Sequence, residues 1–110
     1  MALTQKRLAF TPVDATEEAI YTVPSATTTI IKQIMLCNTH ASAVTVHVAL
    51  TNSAASSTTA ANRILSSFSI SANETTMIAM SLVMTAGEKL WASASTDDVV
   101  NIAVVGVEEA

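Results

Sequence analysis

The uncharged stretch Thr76-Met77-Ile78-Ala79-Met80-Ser81-Leu82-Val83-Met84 is apolar at nearly every position. In a β-strand, successive side chains point to opposite faces of the sheet. One face of this stretch carries Met77, Ala79, Ser81 and Val83, and the other carries Ile78, Met80, Leu82 and Met84. A strand of an antiparallel sheet normally keeps one polar face toward water. The stretch therefore predicts a strand that lies at the centre of the fold or that a second protein covers.

The whole chain shares this apolar bias. Its 110 residues predict a single domain. Charged residues make up only 13% of the chain, and the mean hydropathy is +0.46. An apolar surface on a small protein usually marks a contact site, so the composition points to assembly before it points to chemistry.

Charge and cysteine content exclude several classes of protein. The net charge of -4 argues against a nucleic-acid partner, because phosphates attract basic surfaces. Cys37 is the only cysteine, so an internal disulfide cannot form. The apolar run near the N-terminus is too short for a signal peptide, and no run approaches the roughly eighteen residues of a membrane span. We therefore expect no membrane partner and synthesis in the cytoplasm.

Short alternating segments predict an all-β fold. In residues 44–50, Val44, Val46, Val48 and Leu50 share one face, with Thr45, His47 and Ala49 opposite. The predicted strands are residues 19–23, 28–37, 44–50, 63–70, 76–84, 89–95 and 99–107. About seven strands at this spacing favour a single antiparallel β-sandwich, either jelly-roll-like or immunoglobulin-like.

The chain divides into an extended N-terminal arm, residues 1–18, and a sandwich domain, residues 19–110. Strict alternation places Ile30, Ile34 and Leu36 on one face of the second strand and Ile31, Met35 and Cys37 on the other. It likewise places Ile64, Phe68 and Ile70 opposite Leu65 in the fourth. Residues 51–61, rich in Ser, Thr, Ala and Asn, are predicted as a flexible surface loop.

No set of residues predicts catalysis, a cofactor or a metal site. Cys37, His40 and His47 are the soft-ligand candidates, but a zinc site needs three or four converging ligands. A Cys-His nucleophile would also need an orienting group and oxyanion donors, for which no motif is present. We expect a non-enzymatic protein.

The acidic pairs are expected to be solvated, because they fall in the arm, a turn and the C-terminus. Neighbouring residues on a strand point to opposite faces, so a pair cannot act jointly on one substrate there. The alternative to a solvated pair is a bound cation at Asp97-Asp98, although further oxygen ligands are lacking there. The pairs are Glu17-Glu18, Asp97-Asp98 and Glu108-Glu109.

Apolar and aromatic residues supply the interface candidates. Trp91 and Tyr21 could stack a sugar, although Trp is more often an interface anchor or a core residue. Methionines either fill the core or form an adaptable contact surface. The predicted interface residues are Leu8, Phe10, Tyr21, Ile31, Met35, Met80, Leu82, Met84 and Trp91.

Several segments together resemble small β-sandwich structural proteins of tailed bacteriophage virions, and the resemblance spans nearly the whole chain after Glu18. The segments are Ala19-Ile20-Tyr21-Thr22-Val23-Pro24-Ser25-Ala26-Thr27-Thr28-Thr29-Ile30-Ile31-Lys32, Asn38-Thr39, Ser42-Ala43-Val44-Thr45-Val46, Ala61-Asn62-Arg63-Ile64-Leu65, Thr85-Ala86-Gly87-Glu88-Lys89-Leu90 and Gly106-Val107-Glu108. They describe strands and turns rather than an active site, so the resemblance implies no catalytic residue.

The resemblance implies a virion component that decorates or cements the capsid. The alternatives are a tail-, neck- or fibre-associated adaptor and, from another class, a carbohydrate-binding β-sandwich module. The expected partners are copies of the chain itself, with a trimer favoured, and other virion proteins such as the major capsid protein or tail and neck proteins. The arm could add a strand to a neighbour.

Overall fold

Two four-stranded antiparallel sheets form the protein in a computed structural model that describes residues 3–110. Sheet A has the strand order β1-β8-β3-β6, and sheet B has the order β2-β7-β4-β5. Within the described residues, no helix is long and apolar enough to cross a membrane. A short 3-10 helix spans Ala60–Asn62, and the strands are β1 (Leu3–Val13), β2 (Glu18–Thr22), β3 (Thr28–Asn38), β4 (Val44–Thr51), β5 (Arg63–Ile70), β6 (Thr75–Met84), β7 (Lys89–Ala94) and β8 (Val100–Glu109).

The strands pair as one long hairpin rolled up on itself. β4 pairs with β5, β3 with β6, β2 with β7 and β1 with β8, all antiparallel. Additional pairing of β3 with β8 and of β4 with β7 completes the two sheets. This connectivity is that of an eight-stranded jelly roll. The predicted all-β antiparallel sandwich is confirmed, with the jelly-roll order rather than the immunoglobulin-like one.

The additional strand comes from the segment predicted as an arm. Residues 3–13 pair with β8 from Leu3↔Glu109 to Val13↔Val100, so they belong to the sandwich rather than preceding it. The pairing shifts at Leu8, which forms a bulge, and residues 3–7 are exposed on both faces of this edge strand. An edge strand exposed on both sides has no buried face to impose alternation, which is why residues 1–18 lack a period-two pattern.

The core fills the space between the inner faces of the sheets. The predicted alternation of β4 is confirmed, because Val44, Val46 and Val48 are buried while Thr45 and His47 point outward. The other buried apolar residues that form this core are Val13, Val23, Ile31, Ile34, Leu36, Ile70, Met84, Leu90, Ala92, Ala94, Val100, Ile102 and Val104.

A bulge in β3 changes which of its residues face the core. The pairing with β8 runs Ile31↔Gly106 and then Gln33↔Val105, so Lys32 is an extra residue. The bulge places Ile31 on the same buried face as Ile34, and it turns Ile30 outward. The prediction from strict alternation was wrong for these two residues, because one inserted residue reverses the face of everything on one side of it.

Bulges in β5 have the same effect. Ser67 has a φ of 50° and its backbone N–H donates to Nδ1 of His47 at 2.9 Å. The distortion brings Leu65 and Phe68 onto the inner face, whereas Ile64 is left exposed. The prediction that Ile64 and Phe68 share a face was therefore wrong.

Strict alternation holds along β6. Met77, Ala79, Ser81 and Val83 point outward and are exposed, while Ile78, Met80, Leu82 and Met84 point inward. β6 nevertheless lies at the edge of sheet A. A central position in the sheet is therefore excluded for β6, and its inner residues are apolar because they pack on the core.

Candidate docking surface

The outer face of sheet A is apolar and is not covered by any other part of the described chain. Leu3, Phe10, Met77 and Val83 are 68%, 64%, 63% and 57% exposed, respectively. The residues between them on the central strands are half-buried only by their neighbours in the sheet. We call this surface the apolar face, and it consists of Leu3, Phe10, Ile30, Met35, Cys37, Met77, Ala79, Val83, Ala103, Val105 and Val107.

Strand register brings these residues together across all four strands. Phe10 pairs with Ala103, Ala103 with Met35, and Met35 with Met77. This row crosses the sheet without a polar side chain. The next row contains Arg7 and Gln33 on either side of Val105, with Ala79 beyond them. In the row after that, Val107, Ile30 and Val83 pair as a second apolar row. Contiguous apolar surface of this kind is typical of a protein interaction site.

Basic residues lie on the same outer face, since Arg7 pairs with Val105 and Lys32 is the extra residue of the interior strand β3. Arg7 and Lys32 line an open basin of about 490 Å³ whose floor includes Val105 and Val107. The Arg7 guanidinium lies 5.9 Å from the centre of the Phe10 ring, within the range of a cation–π contact. A partner that covers this region would therefore meet positive charge among the apolar side chains.

The outer face of sheet B differs, because a loop covers it. Residues 52–62 leave β4 and return to β5, and in between they reach Glu17 beside β2. β7 lies between β4 and β2 in the sheet, so the loop must cross it. Beneath this crossing Trp91 is only 8% exposed, and its Nε1 donates to Thr51 Oγ1 at 2.8 Å.

Hydrogen bonds hold the loop in place. The carboxylate of Glu17 accepts from the Thr58 backbone N–H at 2.9 Å and from the Thr58 hydroxyl. These bonds hold the pKa of Glu17 below its ordinary value. Lys89 donates to the carbonyl of Ala55 at 3.3 Å and lies 6.0 Å from the Trp91 ring centre. The segment predicted as a flexible loop is thus anchored at both margins of Trp91.

The burial of Trp91 bears on two sequence-based interpretations. As an interface anchor, Trp91 would have to be exposed, and it lies instead under its own loop. As a sugar platform, it would have to share an exposed face with Tyr21. Tyr21 is half-buried and its hydroxyl is engaged by Glu108. Neither aromatic ring offers a free stacking surface.

The remaining predicted interface residues separate into three groups. Phe10 and Met35 lie on the apolar face. Ile31 and Met84 are fully buried in the core, so neither lies on the surface. Leu8, Met80 and Leu82 are half-buried and pack against the core.

Sequence reasoning omitted several residues of the apolar face. Met77 and Val83 are exposed on β6, and the alternation of that strand already placed them on one face. Val105 and Val107 were missed because β8 is apolar on both faces. Its sequence alone does not show which of the two faces packs on the core.

A polar network ties the two sheets together at one end. The Tyr21 hydroxyl of β2 donates to Oε2 of Glu108 at 2.5 Å and lies 2.8 Å from Thr29 Oγ1. Lys6 of β1 donates to Oε1 of Glu108 at 3.0 Å. Burial and the bond to Glu108 raise the pKa of Tyr21 to about 12, and the bonds from Tyr21 and Lys6 lower the pKa of Glu108.

The soft-ligand candidates do not converge. Cys37 lies on the outer face of sheet A, whereas His47 lies on the outer face of sheet B, so the whole sandwich separates them. His40 lies in the connection between β3 and β4. His47 accepts the Ser67 bond, and burial together with the charge of Arg63 lowers its pKa. This arrangement cannot form a Cys-His pair or a shared metal site.

The acidic pairs are more engaged than predicted, since Glu17 and Glu108 both carry structural hydrogen bonds. In the turn before β8, Asp97 accepts from the Ala15 backbone N–H at 2.6 Å. A hydrogen bond with Asp14, and the charge of that residue, raise the pKa of Asp98. Over residues 3–110, no group of three or more potential metal ligands is present.

The chain matches no known protein family and no curated protein. Among the solved structures that resemble it, two are described as a pentameric capsid protein isolated from metagenomic phage sequences. Each is 13% identical to this chain, with a TM-score of 0.41, and the match covers 94% of this chain. The chain spans 61% of the length of that protein. Similarity at this level carries no functional inference.

Proposed function

We propose that this chain is a non-enzymatic structural protein of a tailed phage virion that decorates or cements the capsid by binding the assembled coat. The observation that carries the proposal is the uncovered apolar face of sheet A. The virion context comes from the resemblance of residues 19–108 to structural proteins of this kind.

Burial of apolar side chains would supply the binding energy. Burying a Leu, Phe or Met side chain fully contributes roughly 1.5 to 3 kcal/mol relative to exposure. Leu3, Phe10, Met77 and Val83 are each more than half exposed in the isolated chain. Burial of these four side chains, and of the half-buried row between them, would offset part of the entropy lost on association.

Charge complementarity gives the partner a second property. Arg7 and Lys32 lie among the residues of the apolar face, although the chain as a whole has a net charge of -4. A coat surface that combines apolar residues with acidic groups would match this arrangement. Complementary charges favour the correct orientation and faster association.

A binding assay with a matched pair of variants tests the proposal. Ala103 lies on β8 at the centre of the apolar face, and Ala60 lies exposed in the loop on the opposite side of the sandwich. Both are changed to Lys, so the net charge changes equally. Purified protein is mixed with empty capsids of the phage whose genome encodes it, and binding is measured by pelleting.

We expect Ala103→Lys to weaken capsid binding by at least about tenfold, because a buried unpaired charge is expensive. Ala60→Lys should bind as the unchanged chain does. Capsid binding that is unaffected by Ala103→Lys would remove the apolar face as the docking site.

The adaptor of the tail, neck or fibre is the second candidate, since the same apolar face could bind either structure. Copy number per particle separates the two. A shell position requires on the order of hundreds of copies, whereas a tail or neck position requires a small multiple of its rotational symmetry. Quantitative mass spectrometry of purified particles provides this number.

A further inference from the structure

The two sheets end in four edge strands, and three of them carry features that oppose pairing with another strand. β1 contains Pro12, which lacks a backbone donor, and the adjacent charges of Lys6 and Arg7. β2 has only five residues and a register shift between Ala19 and Tyr21. Charges, prolines, bulges and short length are the usual protection of a sheet edge.

β5 is protected in the same way. It begins with Arg63, and Ser67 interrupts it with a φ of 50°. Its register against β4 shifts on both sides of Val48. A further strand could not follow this edge for more than a few residues.

β6 has less of this protection, since its register against β3 shifts only once, where Ile31↔Leu82 is followed by Gln33↔Ala79. It is ten residues long, has no charge and no proline, and contains no residue with positive φ. Among the described residues its backbone pairs with β3 alone, so the other edge presents N–H and C=O groups with no partner strand in residues 3–110. A long, uncharged edge strand of this kind is a ready site for strand addition.

The surroundings of β6 define the strand that would fit. On its outer side lie Met77 and Val83 of the apolar face. On its inner side, Met80 and Leu82 are only half-buried, and Phe68 of the neighbouring edge β5 is half-buried as well. An added strand therefore needs apolar side chains on both faces.

We propose that the strand added to β6 is β6 of a second copy, paired antiparallel about a twofold axis. β6 is itself apolar on both faces, so a second β6 has the side chains that a strand added at this edge needs. It brings no like charges together, whereas self-pairing of β1 would bring the cations of each copy into the same interface. The two A sheets would then form one eight-stranded sheet with a continuous apolar face. The pairing is independent of whether that face binds a capsid.

The alternation of β6 restricts the register. An outer residue must lie opposite an outer residue, so the numbers of the paired residues must add up to an even number. Among such registers, those that overlap nearly the whole strand place the twofold axis at Ala79 or at Met80. In either register, Ala79 lies within two residues of the axis.

Sedimentation of matched variants tests the dimer. We expect the unchanged chain to be a dimer at micromolar concentration. Ala79→Lys should weaken the dimer by at least about tenfold, because it brings two like charges together near the axis. Ala103→Lys makes the same substitution on the same face of sheet A, but on an interior strand, and should leave the dimer intact.

Cysteine cross-linking tests the pairing itself. In a Cys37→Ser background, Ala79→Cys or Met80→Cys should form a disulfide-linked dimer under mild oxidation, depending on which residue lies on the axis. Ala60→Cys, in the exposed loop, is the control that should not.

The outcomes divide clearly. A monomer, a trimer of the kind the sequence favoured, or a dimer that Ala103→Lys breaks and Ala79→Lys spares would overturn the β6 pairing. Loss of capsid binding in Ala103→Lys with the dimer retained would leave both proposals standing. A stable dimer whose Ala103→Lys variant still binds capsids would refute the docking site alone.

Discussion

The two outer faces of this jelly roll differ in whether the chain itself covers them. On sheet B, Trp91 is buried beneath residues 52–62 of its own chain, and Thr51 satisfies its indole N–H. On sheet A, Phe10 and Met77 have no such cover. The comparison shows that the same chain covers a large apolar side chain on one outer face and leaves such side chains exposed on the other, which is the difference on which the proposed docking surface rests.

The difference follows from the connections between strands. The long connection, residues 52–62, joins β4 to β5, and both strands belong to sheet B. The other connections are shorter, and each passes from one sheet to the other at an end of the sandwich. A loop that starts and ends in sheet B can fold back only onto sheet B, so among residues 3–110 no connection is placed to cover the outer face of sheet A.

Removing one aromatic side chain from each face tests this comparison most directly. Trp91→Ala should lower the free energy of unfolding by about 3 to 5 kcal/mol, because it empties a buried site. Phe10→Ala should lower it by less than about 1 kcal/mol, since the ring is already 64% exposed. Urea denaturation measures both. Similar losses for the two variants would mean that the faces are equally packed.

Gly106→Ala is expected to lower the free energy of unfolding by about 3 kcal/mol, because it overpacks sheet A. This value is near the upper end of the usual cost of overpacking. A Cβ at this position would lie 2.3 Å from the carbonyl oxygen of Ile30, which the bulge at Lys32 holds in place. Backbone cannot yield as a flexible side chain does. Thermal unfolding measures the loss, and Ala103→Gly on the same strand is the control. Tolerance of Ala at position 106 would show that the β3 bulge is not rigid.

Loosening the loop on sheet B should have a smaller effect. Glu17→Gln removes the charge that accepts two bonds from Thr58, and we expect a loss of about 1 kcal/mol. Since the pKa of Glu17 is lowered in the folded protein, its contribution is present above pH 4.5 and disappears as the pH falls through the folded value. The fluorescence of Trp91 should shift to longer wavelength in this variant. An unchanged spectrum would show that the loop stays closed without Glu17.

The polar network of Tyr21, Glu108 and Lys6 should give the smallest effect, but the effect can be measured on a single residue. Tyr21 is the only tyrosine, so its absorbance reports one pKa of about 12 in the folded protein. Glu108→Gln should lower that pKa in part, since it removes the charged acceptor while burial, the larger cause of the raised pKa, remains.

The same network sets two pH limits on stability. The contribution of Tyr21 is lost as the pH rises from 10 toward 12, because ionisation is easier in the unfolded chain. The contribution of Glu108 is lost as the pH falls below 4.5. The control is the Glu108→Gln variant, whose free energy of unfolding is measured against pH. If this variant loses as much stability below pH 4.5 as the unchanged chain does, the loss belongs to another carboxylate.

Regular strands were predictable in detail. The faces of β4 and β6 follow from alternation alone, and Met77 and Val83 were already placed together on one side of β6. Prediction was wrong where a single inserted residue reversed the faces, as at Lys32 in β3. A bulge leaves almost no mark in sequence, because it depends on the number of residues in the partner strand.

The amino-acid sequence by itself determined that the chain forms an antiparallel sandwich with more apolar surface than one core can hide. Period two is a local property, and every residue needed to recognise it lies within one strand. Tertiary structure alone decided which side of sheet A remains bare, that β6 stands at an edge, and that Trp91 is covered. Those outcomes depend on contacts between residues far apart in the chain, such as Glu17 with Thr58 and Gly106 with Ile30, which no local pattern encodes.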